Sequence, residues 1–182
     1  MNSIISSERL NLRHWVESDI TSLIQMNKDE DVMRYFPSIM SDDESIGFYD
    51  RINKHFSDYG YGLFVVEEKV SNKFLGYTGF MMAQFESAFT PCVEIGWRFN
   101  KENWGNGFAT EAAKACLEYG FSKLNFIEVH SFTSVLNKKS EAVMQRTGMN
   151  KVGEFNHPKV SIDSRLRLHV NYNIKNDNPL IS

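Results

Sequence analysis

The stretch CVEIGWRFNKENWGNGFATEA, residues 92–112, decides how this chain folds. CVEIGWRF reads as a strand, and the run from Phe108 reads as a helix rich in Ala112, Ala113, Ala115 and Leu117. Gly105 and Gly107 stand between them. A helix N-terminus carries unpaired N–H groups and a partial positive charge, so it attracts anions. Glycines in front of it remove the side chains that would hold a phosphate off the backbone. The stretch therefore permits a pyrophosphate without requiring one, and a turn with no ligand stays open as a reading.

Of two better-known phosphate loops, one fails and the other is disfavoured. A P-loop needs GxxxxGK followed by Ser or Thr, and no lysine follows Gly107 in register. A dinucleotide fingerprint needs GxGxxG, but GNGFAT ends in Thr110. Glu128 falls about 20 residues on, where a ribose-binding acid belongs, yet it sits near the start of its strand. Nothing after it builds a second mononucleotide half.

Upstream, ERLNLRHW alternates as a first strand, and Ser18 can cap a helix carrying Ile20, Leu23, Ile24 and Asn27. Pro37 closes off any helix through DEDVMRYFP. SDDESIGFYDRINKHF starts with acids suited to a helix N-terminus and repeats Ile46, Tyr49, Ile52 and Phe56 on one face. YGLFVVEE and FLGYTGFMM flank the polar turn KVSNK as an antiparallel hairpin. Downstream, FIEVHSFTS is strand-like. NKKSEAVMQRTG reads as a short helix with Asn137 as N-cap and Gly148 as stop. MNKVGEF and LRLHVNYNI close the sheet, the last alternating Leu166, Leu168, Val170, Tyr172 and Ile174 with polar residues.

The order β-α-α-β-β-β-α-β-α-β-β gives an α+β fold: a mixed central sheet of about seven strands flanked by helices. Cys92 to Ser134 should form a right-handed parallel crossover. A length of 182 residues suits one domain with its own core. Residues 8–175 are read as that domain, with 1–7 and 176–182 as terminal tails.

A net charge of −3 argues against a nucleic-acid partner, which needs a basic face. No run approaches the roughly 20 apolar residues of a membrane span, and no signal peptide is visible at the N-terminus. Cys92 and Cys116 form no CxxC pair and have no histidine cluster, so no metal site is expected. Reduced thiols suit a cytoplasmic protein, as monomer or homodimer.

VEIGWRF, WGNGFATEA and then N..S...M...GM about 30 residues later together resemble the GNAT superfamily of acyl-CoA N-acyltransferases. DVMRYFP and the ending FNHPKV…LRLHVNY are similar to the branch containing ribosomal-protein N-terminal acetyltransferases. The likeness spans about Glu8 to Ile174. It departs from the superfamily's R/Q-x-x-G-x-G/A loop at Glu102, which occupies the Arg/Gln position. The resemblance implies a single-domain GNAT fold with a V-shaped gap between the fourth and fifth expected strands. It implies acetyl-CoA as cosubstrate, with its pyrophosphate on backbone amides of Gly105, Asn106, Gly107, Phe108 and Ala109. The pantetheine arm would run past Ile95, Trp97 and Phe99, beside Asn137 and Ser140. Asn137 is equally well explained as a helix cap, and Lys138 and Lys139 as a solvated pair.

Transfer to an amine needs a donor for the carbonyl oxygen, a base for the amine and an acid for the thiolate. The family uses a backbone N–H at a strand bulge for the first. Gly96 makes such a bulge plausible, with Ile95 and Trp97 as neighbouring amides. The resemblance places Glu94 at the reaction centre as leading base, a cross-strand carboxylate being the plain alternative. His169 is the second candidate, a structural histidine its alternative. His14, His55, His130 and His157 have weaker claims. Ser140 is the implied thiolate donor, with Tyr172 as the tyrosine that could replace it. Met33, Tyr35 and Phe36 lie where the family lines its acceptor groove, although such residues are also ordinary core. Acids at Asp29–Asp31 and Asp42–Glu44 would suit a cationic acceptor, or simply start helices. The expected activity is direct acetyl transfer to a primary amine, on a protein N-terminus or a small molecule. The alternative is a non-catalytic acyl-CoA-binding or interaction module of the same fold.

Overall fold

In the computed structural model, which describes residues 3–176, two antiparallel blocks of strands meet at a single parallel contact. The first block comprises β1 (Ile5–Ser6), β2 (Leu10–Arg13), β3 (Leu63–Glu68), β4 (Phe74–Ala83) and β5 (Cys92–Phe99). The second comprises β6 (Glu128–Ser134), β8 (Leu168–Lys175) and β7 (Asn150–Asn156). Together they form one eight-stranded sheet of order β1-β2-β3-β4-β5-β6-β8-β7.

The strand count corrects the sequence reading at one end. Ile5 and Ser6, expected in a loose tail, pair with Leu12 and Asn11. Ile5 is buried there, which gives so short a strand an apolar anchor. Asn176, expected in the other tail, donates its backbone N–H to the Ile127 carbonyl. The rest of the expected C-terminal tail, from residue 177, lies outside the described residues.

Helices cover both faces. α1 (Ile20–Lys28), α2 (Glu30–Met33) and α3 (Asp42–Tyr59) share one face, where Leu23, Met26, Val32 and Ile52 pack on Trp15, Leu63, Val65 and Tyr77. α4 (Phe108–Ser122) and α5 (Lys138–Arg146) share the other, where Ala112, Ala113, Cys116 and Val143 pack with Phe64, Phe80, Ile95 and Val129. Local chemistry explains the starts. Ser41 accepts from the Glu44 N–H while the Glu44 carboxylate accepts from the Ser41 N–H, a reciprocal cap that opens α3. Asp29 caps α2 by accepting from the Asp31 and Val32 N–H groups. The acids read as helix-start charges do largely that. Asp42 also pairs with Lys28, and Asp31 with Lys101.

The ending of the sheet is less regular than expected. Val170 and Tyr172 are buried as their alternation requires, but Leu168 is exposed and Leu166 precedes the strand. Asn171 is buried too, because its side-chain oxygen meets His130 Nδ1 on the neighbouring strand. A polar residue is tolerated there since its hydrogen bond is made.

Candidate active site

β4 and β5 pair without interruption from Gly76↔Phe99 to Ala83↔Cys92. β5 and β6 share one registered pair, Glu94↔His130, and then diverge. This is the V-shaped gap. It does not arise from a bulge at Gly96, because Gly96 sits in register opposite Gly79. The expected bulge is therefore replaced by splaying. The Ile95 carbonyl accepts from Ser131 Oγ across the contact at 2.9 Å. Backbone groups alternate sides along a strand, so the N–H of Trp97, two residues on, faces the same way, into the gap.

A cleft of about 1480 Å³ runs through the gap, lined on one side by Ile95, Trp97, Phe99, Asn137 and Ser140. Gly105, Gly107, Phe108 and Ala109 line it where α4 begins. Gly105 and Gly107 have φ of +81° and +80°, a conformation that L side chains rarely adopt. A Cβ on Gly105 would meet nothing within 4 Å, so its absence leaves open space in front of the helix. No side chain caps the first turn of α4, unlike those of α3 and α5. Uncapped N–H groups, an open glycine and the nearby cations Lys114, Lys139 and Arg146 fit a diphosphate. Asn106 differs from its neighbours. It is exposed and outside the lining, and its carbonyl accepts from Arg9 Nη1 at 3.0 Å.

Arg9 also locks the loop from behind. Its guanidinium pairs with Glu111 at 2.7 Å and lies over the Phe108 ring, 4.6 Å from the centroid. Glu111 accepts in addition from the Arg9 N–H and Ser7 Oγ. Burial alone would raise this carboxyl's pKa, but those bonds outweigh it and hold it below the usual range.

On the side of the cleft where the pantetheine arm is expected, Asn137 caps α5 by accepting from the Ser140 N–H and donates to Thr133 Oγ1. The Ser140 hydroxyl makes no hydrogen bond among the described residues and lines the cleft. Lys138 pairs with Glu141, and Lys139 lies over the Trp104 ring. Tyr172, the expected alternative to Ser140, stands apart from the cleft. It is buried, donates to Glu141, accepts from Gln145, and is absent from the lining.

Glu94 lines the cleft at the β5–β6 contact and has no hydrogen bond or ion pair among the described residues. Burial pushes its carboxyl up to about 8, and only the charge of Lys159 pulls the other way. His169 also lines the cleft. Its Nδ1 donates to the Arg167 carbonyl, since a carbonyl can only accept, and burial lowers its pKa. His157, given a weaker claim by the sequence, stands 4.9 Å from His169, and burial lowers it to about 4. His55 instead bridges the Tyr61 carbonyl and the Met82 N–H, a structural role.

Tyr35 and Phe36 line the α1–α3 side of the cleft, whereas Met33 is buried outside it. Val32, from the same turn, takes the lining position. Sequence reasoning passed over Arg98, Tyr77, Lys159 and Arg9. For Arg98 a signal existed: four residues after Glu94 on one strand, it shares that residue's face.

Fold, gap and glycine loop together define an acyl-CoA-type transferase scaffold. The sequence matches the acetyltransferase (GNAT) domain family over residues 9–150, and the chain belongs to that family. It is an N-acetyltransferase with acetyl-CoA as cosubstrate. Among relatives, the uncharacterized N-acetyltransferase YnaD of Bacillus subtilis is 30% identical over 83% of this chain and 85% of its own. Spermidine N(1)-acetyltransferase of Escherichia coli is 27% identical, over 84% of this chain and 78% of its own. An acetyltransferase (GNAT family) structure from Bacillus anthracis superposes with a TM-score of 0.76, at 27% identity, covering 94% of this chain and 97% of that one. Among the described residues, no helix is long and apolar enough to cross a membrane.

Proposed function

We propose that the protein transfers acetyl directly from acetyl-CoA to a primary amine, with Glu94 removing the amine's proton. The observation that carries this reading is an unpartnered carboxylate in the cleft, beside the one contact between β5 and β6. Acetyl-CoA supplies the activated acyl group. The amides opening α4 and Gly105 bind its diphosphate, and the gap between the strands orients its arm. The Trp97 N–H points where negative charge would gather on the acyl oxygen.

A carboxylate with a pKa near 8 is matched to take a proton from an ammonium group near neutral pH. A cationic amine entering the cleft favours the charged form of Glu94 and so readies the base. Ser140 is placed to donate to the departing thiolate, which with a pKa near 8.5 needs modest help. His169, neutral through burial, keeps an unprotonated Nε2 and is the second candidate base. Neither cysteine suits an acyl-enzyme. Burial raises both thiols, Cys92 to about 11.

The test is acetyl-CoA binding by calorimetry, followed by turnover on a panel of primary amines with wild type and Glu94→Gln. Binding in both and turnover only in wild type supports the proposal. Equal binding with no turnover in either makes the protein an acyl-CoA-binding module.

A further inference from the structure

Arg98 is a buried cation whose partners are all neutral. Its relative exposure is 8%, and it lines the cleft on the α1–α3 side of β5, the side that Glu94 also faces. Nη1 donates to the Asn27 side-chain oxygen, and Asn27 is itself held by Ser45. The rings of Phe36, Phe48 and Tyr77 lie 4.1, 5.8 and 5.4 Å from the guanidinium carbon. No carboxylate pairs with it among the described residues. Arg98 Nε is the one buried side-chain nitrogen or oxygen among those residues without a hydrogen-bond partner.

Ring faces attract a cation but accept no N–H hydrogen bond along its edge. Burying a guanidinium without an anion is costly, and buried arginines are usually paired for that reason. The bond to Asn27 uses Nη1 and Nε is shut off from solvent, so the N–H groups of Nη2 are those left for a ligand in the cleft. A guanidinium N–H is a strong donor to a carboxylate oxygen.

We infer that Arg98 binds a carboxylate carried by the acceptor, so that the substrate is a primary amine with an acid group, its amine at Glu94 and its carboxylate at Arg98. This rests on the amine-acetylation reading above and narrows it. The two residues are four apart on β5, about 13 Å between Cα atoms at roughly 3.3 Å per residue. An α-amino acid carries both charged groups on one carbon and is too short for that span, so the occupant is a short peptide or an amino acid whose amine lies at the far end of its side chain, with its two ends on opposite charges. A polyamine, cationic at every end, would meet Arg98 unfavourably.

The test compares amino acids and dipeptides of increasing length, each with its own C-terminal amide, and includes spermidine. For wild type, kcat/KM should favour the acid over its amide by roughly 10- to 100-fold, the range of one charge-assisted contact. Arg98→Met should bring that ratio close to 1 while leaving turnover of the amides in place. Arg98→Lys should retain part of it, keeping the charge but losing the guanidinium's geometry. Acetyl-CoA binding, measured on every variant, reports folding and an intact cofactor site. Amides or spermidine used as well as acids by wild type, or equal loss of acid and amide in Arg98→Met, would overturn the inference. If the methionine variant does not fold, the lysine variant decides it by the same ratio. If no amine turns over, binding of the same pairs to the CoA-loaded protein decides it, and equal or absent binding overturns it. Failure of wild type to bind acetyl-CoA is a separate result that removes the acetylation reading itself.

Discussion

Glu94 and Arg98 share one face of β5 and do not bond each other: a carboxylate and a guanidinium, each without a charged partner among the described residues, line the same cleft. Tyr77, opposite Arg98 in register, senses both. Burial raises its pKa most, Arg98 lowers it and Glu94 raises it again. An arrangement that keeps two opposite charges apart beside an open cleft holds both available to something else.

Glu94 should set the pH dependence of the reaction. A base works only when deprotonated, and this one is raised to about 8. Its active fraction is then about one tenth at pH 7 and one half near pH 8. The profile of kcat/KM against pH should rise through that region. In Glu94→Gln the part of the rise due to this carboxyl should be lost, leaving only the acceptor's own ionisation, with kcat lowered by roughly 10²- to 10⁴-fold. A profile unchanged in the variant would remove Glu94 from the role of base.

The same carboxyl should cost stability at high pH. Its folded pKa lies above its unfolded one, so the unfolded chain loses the proton first. Stability therefore falls as pH rises from about 4.5 to about 8. A tenfold difference in proton affinity between the folded and unfolded chain is worth about 1.36 kcal/mol, and water in the cleft reduces the total to about 1–3 kcal/mol. Glu94→Gln should melt roughly 2–8 °C above wild type at pH 9 and level with it at pH 5. Parallel melting curves across that range would contradict the raised titration.

The glycine loop separates conformation from charge. Gly105 has φ of +81°, which asparagine tolerates better than most residues. Gly105→Asn should fold with a loss of about 1 kcal/mol or less and weaken acetyl-CoA binding modestly. Gly105→Glu, which adds a carboxylate facing the diphosphate, should weaken it at least roughly 30-fold in calorimetry while circular dichroism stays native. Equal affinities for the two would place the diphosphate elsewhere.

Glu111 should act as a fastener rather than a catalyst. Glu111→Ala removes the shared acceptor of Ser7 Oγ, the Arg9 N–H and the Arg9 guanidinium. A loss of about 1–3 kcal/mol is expected. Its folded pKa is depressed, so its contribution is present at neutral pH and fades as pH falls through that lowered value. Amide exchange at Ile5 and Ser6 should speed up in the variant, with turnover less affected than stability.

The central strand–loop–helix was legible in the sequence because its signals are local. A strand-like run, two glycines and an alanine-rich helix lie within 31 residues, Cys92 to Ser122. The Asn137 cap was legible for the same reason. The gap had no local signature: Gly96 suggested a bulge, and only pairing partners more than 30 residues away show that β5 and β6 splay instead. Ile5–Ser6 was hidden because two residues give no periodicity, and the strand exists through its partner β2. His157 and Lys159 reach the cleft from the connection between β7 and β8, so their place depends on the closed sheet. Met33 and Val32 show the finer difficulty, since a helix of four residues has no pattern to say which side faces the groove.

The single rung between β5 and β6 leaves little backbone pairing between the two halves of the sheet. Any molecule that bridges them acts as mortar in an open seam, and its grip adds directly to the folded state. A ligand present at about 100 times its Kd contributes about 2.7 kcal/mol in this way. The melting temperature of this protein then doubles as a gauge of how much acetyl-CoA surrounds it.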